Sequence, residues 1–318
     1  MSDLPPKNED SLRGFGFALT AYLIWGFLPI YLKAVAHISP AEVIAHRVIW
    51  SVPIAAAVLW YSGRMAELRE ALRTPRMLGM AAATAALISV NWGIYVWAVG
   101  AGHALDAALG YYINPLFSIF LGWLLLGERL ALVQKLAIGL VALAVVILTL
   151  ATGGLPWVAL GLTVTWGFYA YLKKSLPIGP NQGFMLEILI LLLPALALVG
   201  WLGGTGQGHF LIGAVGDDLL LLCGGLVTAV PLMIYANGAK LLRLSTIGIL
   251  QYIAPTMIFL TAVFVFGEPF GRAQMVAFPM IWAALAIYTV SMVRQARRRL
   301  TKAGGFAPPD PRRIFVDR

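Results

Sequence analysis

Residues 110–130 read GYYINPLFSIFLGWLLLGERL and residues 250–270 read LQYIAPTMIFLTAVFVFGEPF. At an offset of 140, Tyr112 meets Tyr252, Ile113 meets Ile253, Pro115 meets Pro255, Gly127 meets Gly267 and Glu128 meets Glu268. The register extends outward: Gln134 meets Gln274, Tyr95 meets Tyr235 and Pro40 meets Pro180. WGFLPIYLK at 25–33 matches WGFYAYLK at 166–173 with one residue of slip. The chain is therefore one unit written twice, and each quoted stretch is a long apolar run.

That apolarity is general. Of 318 residues, 60% are hydrophobic and only 12% charged, about half the charged share of an ordinary soluble protein. Mean hydropathy is +0.84. A water-soluble domain with this composition would expose apolar surface, and disorder needs the opposite composition. Spanning runs of about 20 residues fall near 14–33, 41–60, 76–98, 105–126, 131–150, 155–173, 181–202, 217–238, 245–266 and 271–293. In lipid each backbone polar group must be bonded within its segment, so the runs are helices; none shows the period-two alternation of a barrel strand. The first run is too long for the core of a cleavable signal, and the residues before it mix both charges.

Charge sets the orientation. Twenty of the 23 Lys and Arg fall before the first run, in alternate loops or in the tail. The opposite loops hold only Lys33 and Arg272, and Arg47 lies within a span. Cytoplasmic loops carry the basic excess, so both termini are expected inside. Each half then holds five spans, an odd number, and the second copy must enter the membrane upside down. The fold class expected is all-α integral membrane: ten transmembrane helices as two inverted five-helix repeats. Residues 1–13 form an N-terminal cytoplasmic segment, 14–150 the first repeat, 155–293 the second and 294–318 a basic cytoplasmic tail. Inverted repeats are a hallmark of secondary transporters, with a solute site near the midplane. The net charge of +9 reports topology, and the tail, with Arg294, Arg297, Arg298 and Arg299, is expected to lie on anionic lipid rather than nucleic acid.

Soluble-enzyme signals are missing. The one cysteine, Cys223, permits no disulfide framework, and His37, His46, His103 and His209 show no metal-ligand spacing. No phosphate-cradling, dinucleotide or nucleophile-elbow motif occurs, so neither metal nor cofactor is expected.

Several stretches carry a family resemblance: AYLIWGFLPIYLK at 21–33, HRVIWS at 46–51, NWGIYVWAV at 91–99, LGYYINPL at 109–116, LGERL at 126–130 and RLSTIGILQYIAPT at 243–256. They resemble RarD-type proteins of the EamA branch of the drug/metabolite transporter superfamily. The resemblance implies two EamA repeats, a plasma-membrane location and transport of small organic solutes without ATP. It implies a cavity lined mainly by spans 1, 3, 4, 6, 8 and 9. Polar and aromatic residues on those spans are the candidate lining: Tyr22 and Trp25; Asn91, Trp92 and Tyr95; Tyr111, Tyr112 and Asn114; Trp166 and Tyr169; Tyr235 and Asn237; Gln251 and Tyr252. An amide in a span needs a partner, which is either solute or a neighbouring helix. Such a lining suits a small amphipathic solute better than a naked ion.

Ionisable groups inside spans are costly and mark function or tight packing. His46, Arg47, Asp106 and Glu187 are the four. Arg47 aligns with Glu187 at the offset, but inversion leaves their backbones about 12 Å apart along the membrane normal. Asp106 is the expected partner of Arg47, and Lys240 or Arg243 that of Glu187. These are either gating latches or static packing pairs, and Glu187 is alternatively a proton carrier. Pro115 and Pro255, at matched positions, are expected helix kinks beside the site or gates. Gly127-Glu128 and Gly267-Glu268 read as tight interhelix turns. An enzyme acting on a lipid-linked substrate, using His46, Arg47 and Asp106, is the alternative from another class, and a channel a third.

Overall fold

A computed structural model describes residues 11–126, 131–212, 214–239, 241–242, 246–247 and 250–303. Gly127, Glu128, Lys240, Arg243 and the tail beyond 303 lie outside the described residues, as do the side chains of Arg297, Arg298 and Arg299. The described residues are helical, without strands. The helices are α1 (Leu12–Ala34), α2 (Pro40–Tyr61), α3 (Met65–Leu72), α4 (Pro75–Gly100), α5 (Ala104–Leu126), α6 (Leu132–Thr152), α7 (Trp157–Ser175), α8 (Pro180–Thr205), α9 (Val215–Ala239), α10 (Ile253–Leu260) and α11 (Arg272–Ala303). A π-turn, Thr261–Val265, continues α10.

Local chemistry sets the ends. Ser11 and Ser39 cap α1 and α2 by accepting from the Gly14 and Glu42 N–H groups. Pro40, Pro75 and Pro180 open α2, α4 and α8, where a missing N–H is harmless. Gly153 and Gly206 close α6 and α8 with φ of 73° and 68°, a left-handed turn that suits glycine.

Among the described residues, eight helices are long and apolar enough to cross a membrane: α1, α2, α4, α5, α6, α8, α9 and α11. Their outward faces stay apolar, with Leu150 and Leu193 each more than three-quarters exposed, as lipid contact requires. Helix α7 has 19 residues and is less apolar; it packs centrally against α4 and α5 and turns Thr163 and Thr165 onto helix carbonyls. Helix α3 was not foreseen: Met65–Leu72 buries Leu68 and Ala71 in the loop after α2.

The main packing pairs are α1·α9, α2·α9, α2·α8, α4·α7, α4·α8, α5·α7, α1·α10, α5·α10 and α6·α11. Exchange α1, α2, α4, α5 and α6 for α7, α8, α9, α10 and α11. Pair α1·α9 becomes α7·α4, α2·α9 becomes α8·α4, and α5·α7 becomes α10·α1; the other three map onto themselves. The set of main packing pairs is thus the same when the halves are swapped.

The matched prolines sit differently. Pro115 lies mid-way in the continuous α5, whereas Pro255 is the third residue of α10, where a lost N–H belongs to the first turn anyway. Pro255 therefore starts a helix rather than bending one.

Candidate transport site

The two ends of the bundle differ in chemistry. One carries the α1–α2, α4–α5 and α8–α9 connections and the paired histidines. The Nε2 of His37 lies 3.0 Å from the Asp217 carboxylate, and the Nδ1 of His209 lies 2.9 Å from Glu42. The His209 N–H also donates to Glu42, at 2.7 Å, and Glu42 is 2% exposed. The rings of His37 and His209 are 5.9 Å apart. The Glu268 carboxylate accepts the N–H groups of Ala104 and Leu105, both at 2.8 Å, at the start of α5. This anion at a helix N-terminus ties the loop after α10 to the first half. The opposite, basic end carries α3, the start of α1 and the α7–α8 connection, where the Gln182 amide donates to Glu67.

Between the ends, α2 presses Arg47 against α9. A Cβ at Gly225 would collide with the Trp50 carbonyl, and one at Gly224 would stand 3.1 Å from the Arg47 Cγ. The two glycines let the backbones meet, as small residues do in membrane helix pairs. Arg47 is 3% exposed. Its Nε donates to the Thr228 hydroxyl at 2.8 Å, and its guanidinium lies 4.9 Å from the Trp92 ring centre. Its Nη1 is buried without a hydrogen-bond partner. Tyr31, Tyr95 and Tyr111 are within electrostatic range of it. Tyr95 and Tyr111 meet edge to face at 5.3 Å, and the Tyr95 hydroxyl is buried and unbonded.

The expected Arg47–Asp106 latch is not formed. Asp106, in the first turn of α5, faces the Nδ1 of His103 three residues earlier, at 3.1 Å, on the rim of the histidine end. The short side chain is satisfied locally there, while the long Arg47 side chain turns inward to α9. His46 uses its Nδ1 to accept from the Trp50 indole, and its ring centre lies 4.7 Å from that of Phe210, tilted by 48°. Glu187, 2% exposed, is paired with Lys173 at 2.6 Å and accepts from the Tyr169 hydroxyl at 3.3 Å. Lys173 lies in the last turn of α7, and its long side chain reaches the buried Glu187 carboxylate.

The other candidate lining residues divide. Trp92, Tyr95 and Tyr111 gather near Arg47 on α4 and α5, and Asn114, on α5, keeps a buried, unbonded Oδ1. Tyr22, Trp25 and Tyr235 form an aromatic trio with ring centres 5.4–5.6 Å apart. Trp166 stacks on Tyr169 at 5.6 Å. Asn91 is spent on packing, donating to the Leu162 carbonyl and the Thr165 hydroxyl of α7. Tyr112 points away, sharing a 2.8 Å hydrogen bond with Thr256 among Phe278 and Trp282. Tyr252 faces Tyr288 and Thr289 of α11, and Gln251 stands in the turn before α10. Asn237 bonds its own helix and lines a groove of about 670 Å³ at the basic end, with Arg13, Phe17, Ile54, Val58 and Arg64. Arg47 does not line that groove; the groove is an opening between α1, α2 and α9, and the buried chemistry lies deeper.

Sequence reading missed Tyr31, Glu42, Lys173, His209, Thr228 and Glu268. Glu42 and Lys173 sat at expected span edges and passed for solvated charges. Gly224, Gly225 and Thr228 form a small-residue stripe that marks a close helix contact.

Comparison with known proteins agrees with this architecture. Residues 12–150 match the EamA-like transporter family. The chain is 41% identical over 303 residues to Protein RarD of Streptomyces exfoliatus, covering 95% of this chain and 96% of that one. It is 38% identical over 290 residues to Protein RarD of Escherichia coli (strain K12), covering 91% and 98%. It is 39% identical over 287 residues to an uncharacterized transporter of Vibrio cholerae, covering 90% and 95%. One solved structure shares the fold with a TM-score of 0.57 at 18% identity, covering 87% of this chain and 97% of that one. Fold and kinship together define a multi-pass, all-helical membrane protein. The chain belongs to the EamA-like transporter family, as a RarD-type member.

Proposed function

We propose that the protein is a secondary transporter that moves small organic solutes across the plasma membrane, outward in the cell, by alternating access. Its ten spans form two inverted repeats, 14–150 and 155–293, with both termini and the basic tail in the cytoplasm against anionic lipid. The observation that carries this reading is that the main helix pairs are the same when the halves are exchanged. Two equivalent halves give two equivalent conformations, and each opens one side. The bonds Glu268–α5, His209–Glu42 and His37–Asp217 then hold the outer end shut in the present conformation. Relatives are named as transporters, which supports the class and leaves the solute open.

The enzyme reading needs His46, Arg47 and Asp106 to act together. Asp106 instead bonds His103, and Arg47 turns to Thr228. Counterflow in proteoliposomes tests the proposal, using a labelled pool of small cellular metabolites. The expected result is saturable uptake accelerated by unlabelled solute on the far side, with the solute chemically unchanged. Conversion of the solute would make the protein an enzyme; flux without saturation or trans-acceleration would make it a channel.

A further inference from the structure

We infer that Arg47 binds the anionic group of the solute, so that the class carried is small organic carboxylates. The inference rests on the transport reading and specifies the chemistry of its site.

A guanidinium in a membrane interior needs a counter-charge, because its hydration is lost and the surroundings screen little. Arg47 has none among the described residues. Every carboxylate that could reach the interior is otherwise engaged: Glu42 by His209, Asp106 by His103, Asp217 by His37 and Glu187 by Lys173. Asp218 accepts the Leu211 N–H, and Glu268 caps α5. Thr228, itself donating to the Gly224 carbonyl, takes only the Nε of Arg47. The Trp92 face compensates part of the charge, as an aromatic ring does.

What remains are buried polar groups without partners. The Nη1 of Arg47 and the hydroxyl of Tyr95 are both buried and unbonded, and Tyr95, Tyr111 and Tyr31 lie within electrostatic range of the charge. A carboxylate supplies one negative charge and two oxygens, which suits a guanidinium N–H and a phenol O–H together. Trp92, Tyr95 and Tyr111 offer flat apolar walls for an organic body. The same uncompensated charge repels cations, so the site selects against amines.

The test uses the purified full-length protein in detergent and a panel of aliphatic and aromatic monocarboxylates that includes benzoate. Each acid is paired with its neutral amide, with benzylamine as the cation. Thermal midpoint and tryptophan fluorescence report binding. The expected result is that acids raise the midpoint while amides and benzylamine do not. Arg47→Gln weakens acid binding by roughly 10–100-fold, the scale of a lost charge-assisted hydrogen bond. Arg47→Lys retains part of it, and Tyr95→Phe weakens it less. Should Arg47→Gln not fold, Arg47→Lys and Tyr95→Phe carry the comparison. Amides binding as well as acids, no acid shifting the midpoint, or variants binding acids like the parent would overturn the inference. The two readings fail separately: counterflow confined to neutral or cationic solutes removes the anion site and keeps the transporter. Acid binding through Arg47 without counterflow does the reverse.

Discussion

The buried pair Lys173–Glu187 shows how a single residue decides between roles. Glu187 is held at 2.6 Å from the Lys173 ammonium and bonded by Tyr169, a geometry that suits a packing ion pair, and the two are expected to behave as one. Removing one partner leaves the other charge buried. Lys173→Met should therefore cost about 3 kcal/mol, with much of the loss recovered in the double variant Lys173→Met with Glu187→Gln. Thermal unfolding of the four proteins checks this. Counterflow by the double variant should stay near the parent's and be indifferent to a pH gradient; a lost pH-driven component would return Glu187 to proton transport. The sequence exposed this residue, since a carboxylate inside a span stands out, but not its partner. Lys173 read as a loop cation because span edges are uncertain by a few residues, and only packing shows which way a long side chain turns. Arg47 and Asp106 went wrong for the same reason: both were legible as intramembrane charges, and their partners depended on local geometry, His103 for one and Thr228 for the other.

At the scale of elements, the contact of α2 with α9 places Arg47. Gly225 has no room for a methyl against the Trp50 carbonyl. Gly225→Ala should part the helices, cost about 1–3 kcal/mol by overpacking and reduce transport with it. Gly200 in α8 has nothing within 4 Å of its missing Cβ, so Gly200→Ala should be neutral or gain up to about 1 kcal/mol from helix propensity. Thermal midpoints of the two variants give the contrast. Glu268 is a second device between elements. It neutralises two orphan N–H groups of α5 from the other half. Glu268→Ala should destabilise this closed end by about 1–2 kcal/mol, the scale of a lost cap. Faster thiol labelling of a cysteine placed at His103 would register it; unchanged labelling would show that the cap holds nothing shut. Eight of the expected spans were legible from apolar run length, because lipid forces a helix; the run 245–266 instead gives, among the described residues, the short α10 and its π-turn. Helix α3 was not, since a two-turn segment outside the bilayer buries only Leu68 and Ala71 and leaves a weak pattern. The matched prolines were legible as a repeat, yet symmetry of sequence did not carry symmetry of helix context to Pro255.

For the whole molecule, the repeat at an offset of 140 in the sequence and the main helix pairs, which exchange when the halves are swapped, point the same way. The sequence carried the duplication openly because both copies keep their aromatic and proline landmarks. It could not say which polar residues come together, since that requires knowing how the helices pack: Asn91 and Tyr112 turn to packing, while Trp92 and Tyr95 turn to Arg47. Reporter fusions at the two termini should both face the cytoplasm, as an even number of spans requires. The most direct measurement follows Asn114→Cys, in a background carrying Cys223→Ser, with a membrane-impermeant thiol reagent applied to vesicles of either orientation. A second pair of cysteines, at Ala104 and Glu268, is cross-linked to pin the histidine end shut. Before cross-linking, Asn114→Cys should react from both sides. Afterwards it should react only from the basic end, undiminished, while counterflow stops. Labelling from one side alone before cross-linking, or loss from both sides after it, would contradict two halves rocking about a central site.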